Sequence, residues 1–374
     1  MSMASVRIVL TGGVSGGHLF PLVAVTHALR EKLRGDVEFL FVGPSGKFGT
    51  EAMEAVGVRS KFILTGKMRR YFAFANFVDV FKLPIGFVQA LWHLFWFMPD
   101  AVFAKGGSGS VPVVLAAWVY RIPVLLHDSD ATAGRANQFL SRFARRIAIA
   151  YPSAKEFFPA EKVALTGNPV RPDVLAGDVA RAKTHFDLPE GKPVVFFIGG
   201  SLGSRNLNDA LARILPELLK IVSVIHQTGE EHFARVVAEA QSLGIAPDTE
   251  LGYRPRIFLS GGELGDAYAV SDLVISRAGA NSIADAAAYG KALILVPLPT
   301  AANDEQRRNA YDVAAIGGAT VLEEGNLTEH ILLSKIQDLL SDDAERKMMG
   351  DKLRAFYHPD AAILIADGII EMIR

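Results

Sequence analysis

Two glycine-rich turns, each entered from a short apolar run, constrain this chain more than any other feature of it. The run 6–10 (VRIVL) leads into Thr11-Gly12-Gly13-Val14-Ser15-Gly16-Gly17-His18, and the run 194–198 (VVFFI) leads into Gly199-Gly200-Ser201-Leu202-Gly203-Ser204-Arg205. A glycine-lined turn between a strand and a helix lets backbone N–H groups approach an anion at the positive end of the helix. Two such turns half a chain apart predict two nucleotide-type α/β halves facing one cleft.

The intervening sequence fits that reading. Further apolar runs at 38–42, 101–104, 124–127, 147–150, 273–276 and 293–296 alternate with longer helical patterns. Near-continuous apolar strands separated by helices signal parallel sheets covered on both faces. At 374 residues the chain exceeds what one core usually organises. The expected fold is therefore α/β with two doubly wound, Rossmann-like domains. Their junction is expected at Thr166-Gly167-Asn168-Pro169-Val170-Arg171-Pro172, where two prolines and a glycine block regular structure. This gives domains at 1–165 and 166–355, with 356–374, which contains an amphipathic helix from 361, packing back on the first. A hinge at the junction would let the halves close on a ligand.

Charge excludes one broad class. With 39 basic and 40 acidic residues and a net charge of −1, the chain lacks the positive balance on which nucleic-acid affinity rests. It has no cysteine, hence no disulfide framework and no thiolate metal site. Residues 1–5 run directly into the first strand without a secretory signal pattern, and a cytosolic setting is expected.

Spacing tests the glycine turns. The dinucleotide fingerprint needs glycines at i, i+2 and i+5, but Val14 follows Gly12 and Ser15 follows Gly13 by two. A Walker P-loop needs a Lys-Ser/Thr pair after its last glycine, and neither turn has one. Phosphate- or sugar-facing turns of neither type remain, and each taken singly also fits a purely structural connection. The segment 276–285 (SRAGANSIAD) follows a strand and opens a helix expected to end near Gly290, with Asp285 one turn in, where a carboxylate can accept ribose hydroxyls. Beyond Val296-Pro297-Leu298-Pro299, the residues Asn303-Asp304-Glu305-Gln306 read as a polar loop on the ligand-bearing edge of the sheet. A helix N-cap and a solvated loop would look alike.

Taken together, 12–21 (GGVSGGHLFP), 127–137 (HDSDATAGRAN), 167–171 (GNPVR), 199–203 (GGSLG), 226–229 (HQTG), 276–279 (SRAG) and 297–310 (PLPTAANDEQRRNA) closely resemble the MurG family in collinear order. These are GT-B-fold N-acetylglucosaminyltransferases that make lipid II of peptidoglycan from UDP-N-acetylglucosamine and lipid I. The resemblance implies that Arg171, Ser201, Ala280, Asn281, Ser282, Ile283, Ala284, Asp285, Glu305 and Gln306 bind the donor, together with Ser15, Gly16, Gly17 and Asp130. It implies an acceptor and phosphate side at Gly12, Gly13, Gly106, Gly107 and His127; the transfer also needs a general base, for which His18, a histidine at the end of the first turn, is the candidate. His18 also fits a role confined to capping the helix or orienting the turn. His127, beside two carboxylates, equally fits a structural place.

The resemblance further implies an anionic membrane surface and other wall-synthesis proteins as partners, a peripheral place at the cytoplasmic face of the membrane, and no required cofactor. A divalent ion such as Mg would find only the short His-Asp-x-Asp pattern at 127–130, too few ligands by itself. The chain departs from the family at several of these positions. Asp285 stands where Glu is usual, Glu305 where His or Gln is, and Val14 where glycine is frequent. His127-Asp128-Ser129-Asp130 replaces the common His-Glu-Gln-Asn, so Asp130 puts a carboxylate in place of an amide.

Residues 71–98 hold ten of the chain's aromatic side chains and two of its three tryptophans. Within them, 85–98 (IGFVQALWHLFWFM) is apolar almost all round as a helix, with Gln89 and His93 as a polar notch, and is too short to span a bilayer. One reading buries it in the first domain. The other sets Phe72, Phe74, Phe77, Phe81, Trp92, Phe95 and Trp96, ringed by Lys67, Arg69, Arg70 and Lys82, against an anionic membrane. The two combine if 85–98 is partly core and 71–81 exposed. A diacylglycerol glycosyltransferase would share the donor site and this patch. A UDP-sugar 2-epimerase would have no use for the patch, and a non-catalytic UDP-sugar-binding module would be encouraged only by the altered 127–130 segment.

Overall fold

In the computed structural model, residues 5–66 and 74–374 are described, residues 74–81 by their backbone alone. The chain divides into two compact units, Met1–Pro169 with His358–Arg374, and Val170–Tyr357. The prolines and glycine of 166–172 thus stand at the first crossing between units, a few residues beyond the boundary expected from sequence.

The first unit is built on a sheet of β1 (Val6–Thr11), β2 (Val37–Gly43), β3 (Arg59–Phe62), β4 (Ala101–Ala104), β5 (Val124–Asp128), β6 (Arg146–Ile149) and β7 (Val163–Leu165). Their order is β3-β2-β1-β4-β5-β6-β7, every pairing parallel. Ile8, Val9 and Leu10 of β1 are all fully buried, because helices cover both faces of a parallel sheet and leave no polar side. The helix Gly16–Lys32 sets Leu19, Leu22, Val25 and Leu29 against Ile8, Leu10, Phe41 and Phe103. The C-terminal helix Ala361–Ile373 adds Ile365, Ala366, Ile369 and Met372 to the same core, with its Asp367 2.7 Å from Lys32.

The second unit repeats the plan with β8 (Val194–Ile198), β9 (Ser223–Gln227), β10 (Tyr253–Arg256), β11 (Leu273–Ser276), β12 (Ala292–Leu295) and β13 (Thr320–Val321). The order β10-β9-β8-β11-β12-β13 is again wholly parallel. In both sheets the chain starts at a central strand, runs to one edge and returns to begin the other half. The reversal lies between β1 and β4 in the first sheet and between β8 and β11 in the second. Ligands of open α/β sheets sit in the crevice outside the strand C-termini at such a reversal. The topology therefore selects four turns, those after β1, β4, β8 and β11.

The aromatic segment forms one helix, Phe74–Phe97, longer than the sequence reading drew it. Ala90 and Leu94 are buried, while Ile85, Val88, Trp92, Phe95 and Trp96 are exposed. At 100° per residue these five fall within an arc of about 100°, one continuous apolar stripe. Trp92 and Trp96 are 61% and 64% exposed, and their rings meet edge to face at 5.6 Å. The expected polar notch is half filled, since Gln89 accepts a hydrogen bond from the Leu64 N–H at 2.8 Å. Phe72 lies outside the described residues, as do Lys67, Arg69 and Arg70; Phe74, Phe77 and Phe81 have only their helical backbone described. No helix among the described residues is long and apolar enough to cross a membrane.

Candidate active site

In the first unit, the turn after β1 delivers His18 into the first turn of the helix Gly16–Lys32. Ser15 holds the N-cap position, but its hydroxyl does not cap a backbone N–H; Ser15 Oγ lies 3.0 Å from His18 Nδ1. With Oγ accepting an Nδ1–H, the Nε2 lone pair is left to act as a base. Gly107, at φ 73°, faces that nitrogen: a Cβ there would come within 2.8 Å of His18 Nε2. Gly13 is equally constrained on the other side, where a Cβ would lie 2.9 Å from Nδ1. Glycine at both positions is what leaves room for the ring. Burial, and secondarily the charge of Lys105, pushes the His18 imidazole down to about 4, so it is neutral at physiological pH. Gly12 and Gly16 are buried in the turn, and Gly17 is exposed.

The turn after β4 is held from below. Asn137 Oδ1 accepts the Gly107 N–H at 3.0 Å, and Asn137 packs so closely on Gly106 that a Cβ there would lie 1.8 Å from Oδ1. Asn137 Nδ2 donates in turn to Asp128 Oδ2 at 2.9 Å. Asp128 also accepts the N–H groups of Asp130 and Gly134 at 3.2 and 3.3 Å. Burial, with Asp130 beside it, raises the Asp128 carboxyl to about 6 against the opposing pull of Lys105 and Asn137. His127 is 0% exposed near the end of β5, and its Nε2 lies 3.4 Å from the Gly167 carbonyl. Burial drives its basicity well below the ordinary value, consistent with a neutral core imidazole.

In the second unit, the turn after β8 carries Ser201, half-buried, between Gly200 and Gly203 at φ 87° and 76°. Gln227 fixes this turn, donating to the Gly200 carbonyl while accepting the Leu259 N–H, each at 2.9 Å. A Cβ on Gly203 would lie 2.0 Å from the Thr228 carbonyl oxygen, so the turn after β8 rests directly on the turn after β9. The turn after β11 opens the helix Ala280–Tyr289, with Gly279 extended at the N-cap and no side chain capping it. Nothing lies within 4 Å of where a Gly279 Cβ would be, which keeps approach to the helix N-terminus open. Such a terminus offers N–H groups to an anion. Ala280, Ile283 and Ala284 have buried side chains, and Asn281 and Ser282 are half-buried.

Asp285 follows one turn in. Burial raises its carboxyl to about 7, with Arg171 holding it down and Asp173 pushing it up. Arg171 Nη1 lies 3.5 Å from Asp173 Oδ2. Glu305 and Gln306, read from sequence as part of a polar loop, instead begin the helix Glu305–Ala315. The loop proper is the turn Ala302–Asp304, where Asn303 and Asp304 both take left-handed backbone at φ 53° and 57°. Two adjacent non-glycine residues in that region mark stored strain of the kind that gathers at ligand sites. Gln306 Oε1 accepts the Leu298 N–H at 3.1 Å, which leaves its amide N–H₂ as donor.

Several residues that build the site carry no role in the sequence reading. Arg277, 6% exposed, donates from Nε to Ser204 Oγ at 2.9 Å and from Nη1 to the Val296 carbonyl at 3.1 Å, and its Nη2 pairs with Glu324. One buried guanidinium thereby ties together the turns after β8, β11 and β12. Lys105, Asn137 and Gln227 act comparably. Asn137, Gln227 and Arg277 lie in the family-like segments 127–137, 226–229 and 276–279, whereas Lys105 has for signal only a polar residue at the end of an apolar strand. Among the described residues, no group of three or more His, Asp or Glu side chains is arranged to hold a metal ion.

Comparison with known proteins bears on both units. The glycosyltransferase family 28 N-terminal domain matches residues 8–149 and the family 28 C-terminal domain residues 194–365. The chain is 34% identical to the UDP-N-acetylglucosamine--N-acetylmuramyl-(pentapeptide) pyrophosphoryl-undecaprenol N-acetylglucosamine transferase of Treponema denticola, covering 96% of each. It is 37% identical to the transferase of the same name from Clostridium perfringens, covering 90% of this chain and 91% of that one. The chain belongs to the MurG family. The crystal structure of Acinetobacter baumannii MurG shares the architecture with a TM-score of 0.74 at 25% identity, covering 98% of this chain and 99% of the other. The family thus carries the two-sheet GT-B fold, and the four turns at the two reversals are where this member places its glycines, His18 and Asp285.

Proposed function

We propose that this chain is an inverting glycosyltransferase that moves N-acetylglucosamine from UDP-N-acetylglucosamine to the C4 hydroxyl of the muramic acid sugar of lipid I, giving lipid II. The observation that carries this reading is the similarity over almost the whole chain to transferases named for that reaction, joined to a neutral imidazole at the first reversal. The acceptor oxygen bonds to the anomeric carbon as the bond from that carbon to UDP breaks, through a transition state with oxocarbenium character. The hydroxyl proton goes to His18 Nε2, and the electron pair leaves on the diphosphate. Negative charge on the departing group is met by the uncapped N-terminus of the helix Ala280–Tyr289 and by Arg171, while Asp285 accepts ribose hydroxyls. Ser201, Asn281, Ser282, Glu305 and Gln306 complete the donor half-site in the second unit. Ser15, Gly16, Gly17 and Asp130 contribute donor contacts from the first unit, whose Gly12, Gly13, Gly106 and Gly107 line the acceptor side.

The stripe of Ile85, Val88, Trp92, Phe95 and Trp96 supports peripheral attachment to an anionic membrane at its cytoplasmic face, where a lipid-linked acceptor is met. One assay tests the assignment: UDP-N-acetylglucosamine labelled in the sugar is incubated with a short-prenyl lipid I analogue. Label in the prenyl disaccharide product supports the reading. Label in diacylglycerol, a free epimerised sugar, or donor binding without turnover would each replace it with the corresponding rival.

A further inference from the structure

Lys105 follows β4 at the mouth of the first reversal, yet its side chain is only 5% exposed. An ammonium is expensive to bury unless charged or polar partners surround it. Here Nζ donates to Ser129 Oγ at 3.0 Å, and Ser129 Oγ lies 3.5 Å from Asp130 Oδ2. Asp128, on the same strand end, continues the path through Asn137 to the Gly107 N–H, and Gly107 borders His18 Nε2. On its other side, Lys105 donates its backbone N–H to the Thr11 carbonyl, and its Cβ and that of His18 flank Gly12. The family's usual His-Glu-Gln-Asn carries one carboxylate, and the His-Asp-Ser-Asp of this chain carries two. Asp128 and Asp130, two positions apart, set like charges side by side, and the Lys105 ammonium opposes the effect of Asp130 on Asp128.

We propose that Lys105 is a positioning residue for the transfer reaction, a buried cation that anchors the Ser129–Asp130 segment and packs beside His18 across Gly12. The role rests on His18 being the base of the proposed reaction. The charged groups bearing on this cluster are few: Lys105 acts on His18 and on the buried His127, and Asp130 and Lys105 act on Asp128. A fixed positive charge beside an imidazole disfavours its protonated form, and beside a carboxylate it favours the ionised form. Lys105 therefore keeps His18 ready to accept a proton while holding Asp128 able to accept its three N–H donors.

The test uses the full chain. Histidine ring resonances of the unmodified protein, Lys105→Met and Lys105→Arg are titrated by NMR, with His18→Gln to assign the His18 signal. The acid limb of kcat is measured in parallel on the short-prenyl acceptor. Lys105→Met should raise the His18 midpoint by about one pH unit or more and move the acid limb the same way, while Lys105→Arg keeps both near the unmodified values. If Lys105→Met does not fold, Lys105→Met with Asp130→Asn, which restores the family's amide, carries the same comparison. An unchanged His18 midpoint and acid limb in the lysine-free variant would overturn the proposal. Absence of transfer in the unmodified protein would sink the proposed activity instead, and the NMR titration would still decide whether Lys105 acts on His18.

Discussion

A neutral imidazole is an effective base only if its lone pair is aimed at the proton it takes, and at His18 Ser15 and two glycines together set that aim. His18→Ala should therefore lower kcat by roughly 10²–10⁴-fold while changing donor affinity little. Initial rates at saturating donor and a separate donor-binding isotherm read the two effects; undiminished turnover would remove His18 from the mechanism. Asp285 behaves in the opposite sense. Its carboxyl, raised from 3.8 to about 7, keeps its proton in the folded chain over the interval where the unfolded chain has lost it. The folded state then binds more protons than the unfolded one, so this group's contribution to stability falls as pH rises from about 4 to about 7. Ribose hydroxyls donate best to the ionised form. UDP-N-acetylglucosamine, whose diphosphate has no titration near neutrality, should consequently bind more tightly as pH rises from 6 to 8, and Asp285→Asn should flatten that slope in calorimetric titrations. Sequence alone named both residues as candidates. Their protonation was beyond it, because burial is the first cause at each site and charges distant in the chain act beside it, Lys105 lowering His18 further and Arg171 opposing the rise at Asp285.

Among the elements, the strands legible in the sequence were the apolar ones, and the reason is physical. β1, β4, β8, β11 and β12 lie inside their sheets with helices on both faces, so nearly every side chain must be apolar. β3, β7, β10 and β13 are edge strands, and sequences such as RSKF and YRPR carry no such demand. β9 lies inside its sheet but ends in His226 and Gln227. His226 is bonded within 3.0 Å to Tyr253 and Asn208, a satisfied pair that periodicity does not reveal. The same logic explains the long aromatic helix: its composition announced an apolar surface, but which five side chains face out depended on where Ala90 and Leu94 pack. Removing about 100 Å² of each tryptophan from water is worth about 2.5 kcal/mol. Trp92→Gln with Trp96→Gln should thus weaken binding to anionic vesicles at least tenfold while leaving the thermal transition almost in place; undiminished co-sedimentation would exclude the stripe as the anchor. Arg277 is the contrasting case, since it joins three turns through buried contacts. Arg277→Met strands Glu324 without its cation, a loss of about 3 kcal/mol, and should lower the unfolding temperature of the second unit by roughly 6–12 °C in calorimetry.

At the scale of the whole molecule the two units differ in how the chain closes them. The second is one continuous stretch, Val170–Tyr357, whereas the first is completed only when His358–Arg374 returns to it. That return is apolar: Ile365, Ala366, Ile369 and Met372 enter the core beside Leu22, Val25 and Phe103, and Lys32–Asp367 and Arg146–Glu371 add surface ion pairs of small weight. Fully burying three large side chains is worth about 1.5–3 kcal/mol each, which together rivals the 5–15 kcal/mol that stabilises a typical domain. A chain ending at Tyr357 should therefore keep the second unit's thermal transition and lose or sharply lower that of the first. The fragment 170–357 should in turn fold alone and retain measurable affinity for UDP, because the turns after β8 and β11, Arg171 and Asp285 all belong to it. Calorimetry on the truncated chain and UDP titration of the fragment separate these expectations. Two unchanged transitions after truncation would show that the C-terminal helix covers the first unit without stabilising it, and a fragment that folds but does not bind UDP would place essential donor contacts among Ser15, Gly16, Gly17 and Asp130 of the first unit.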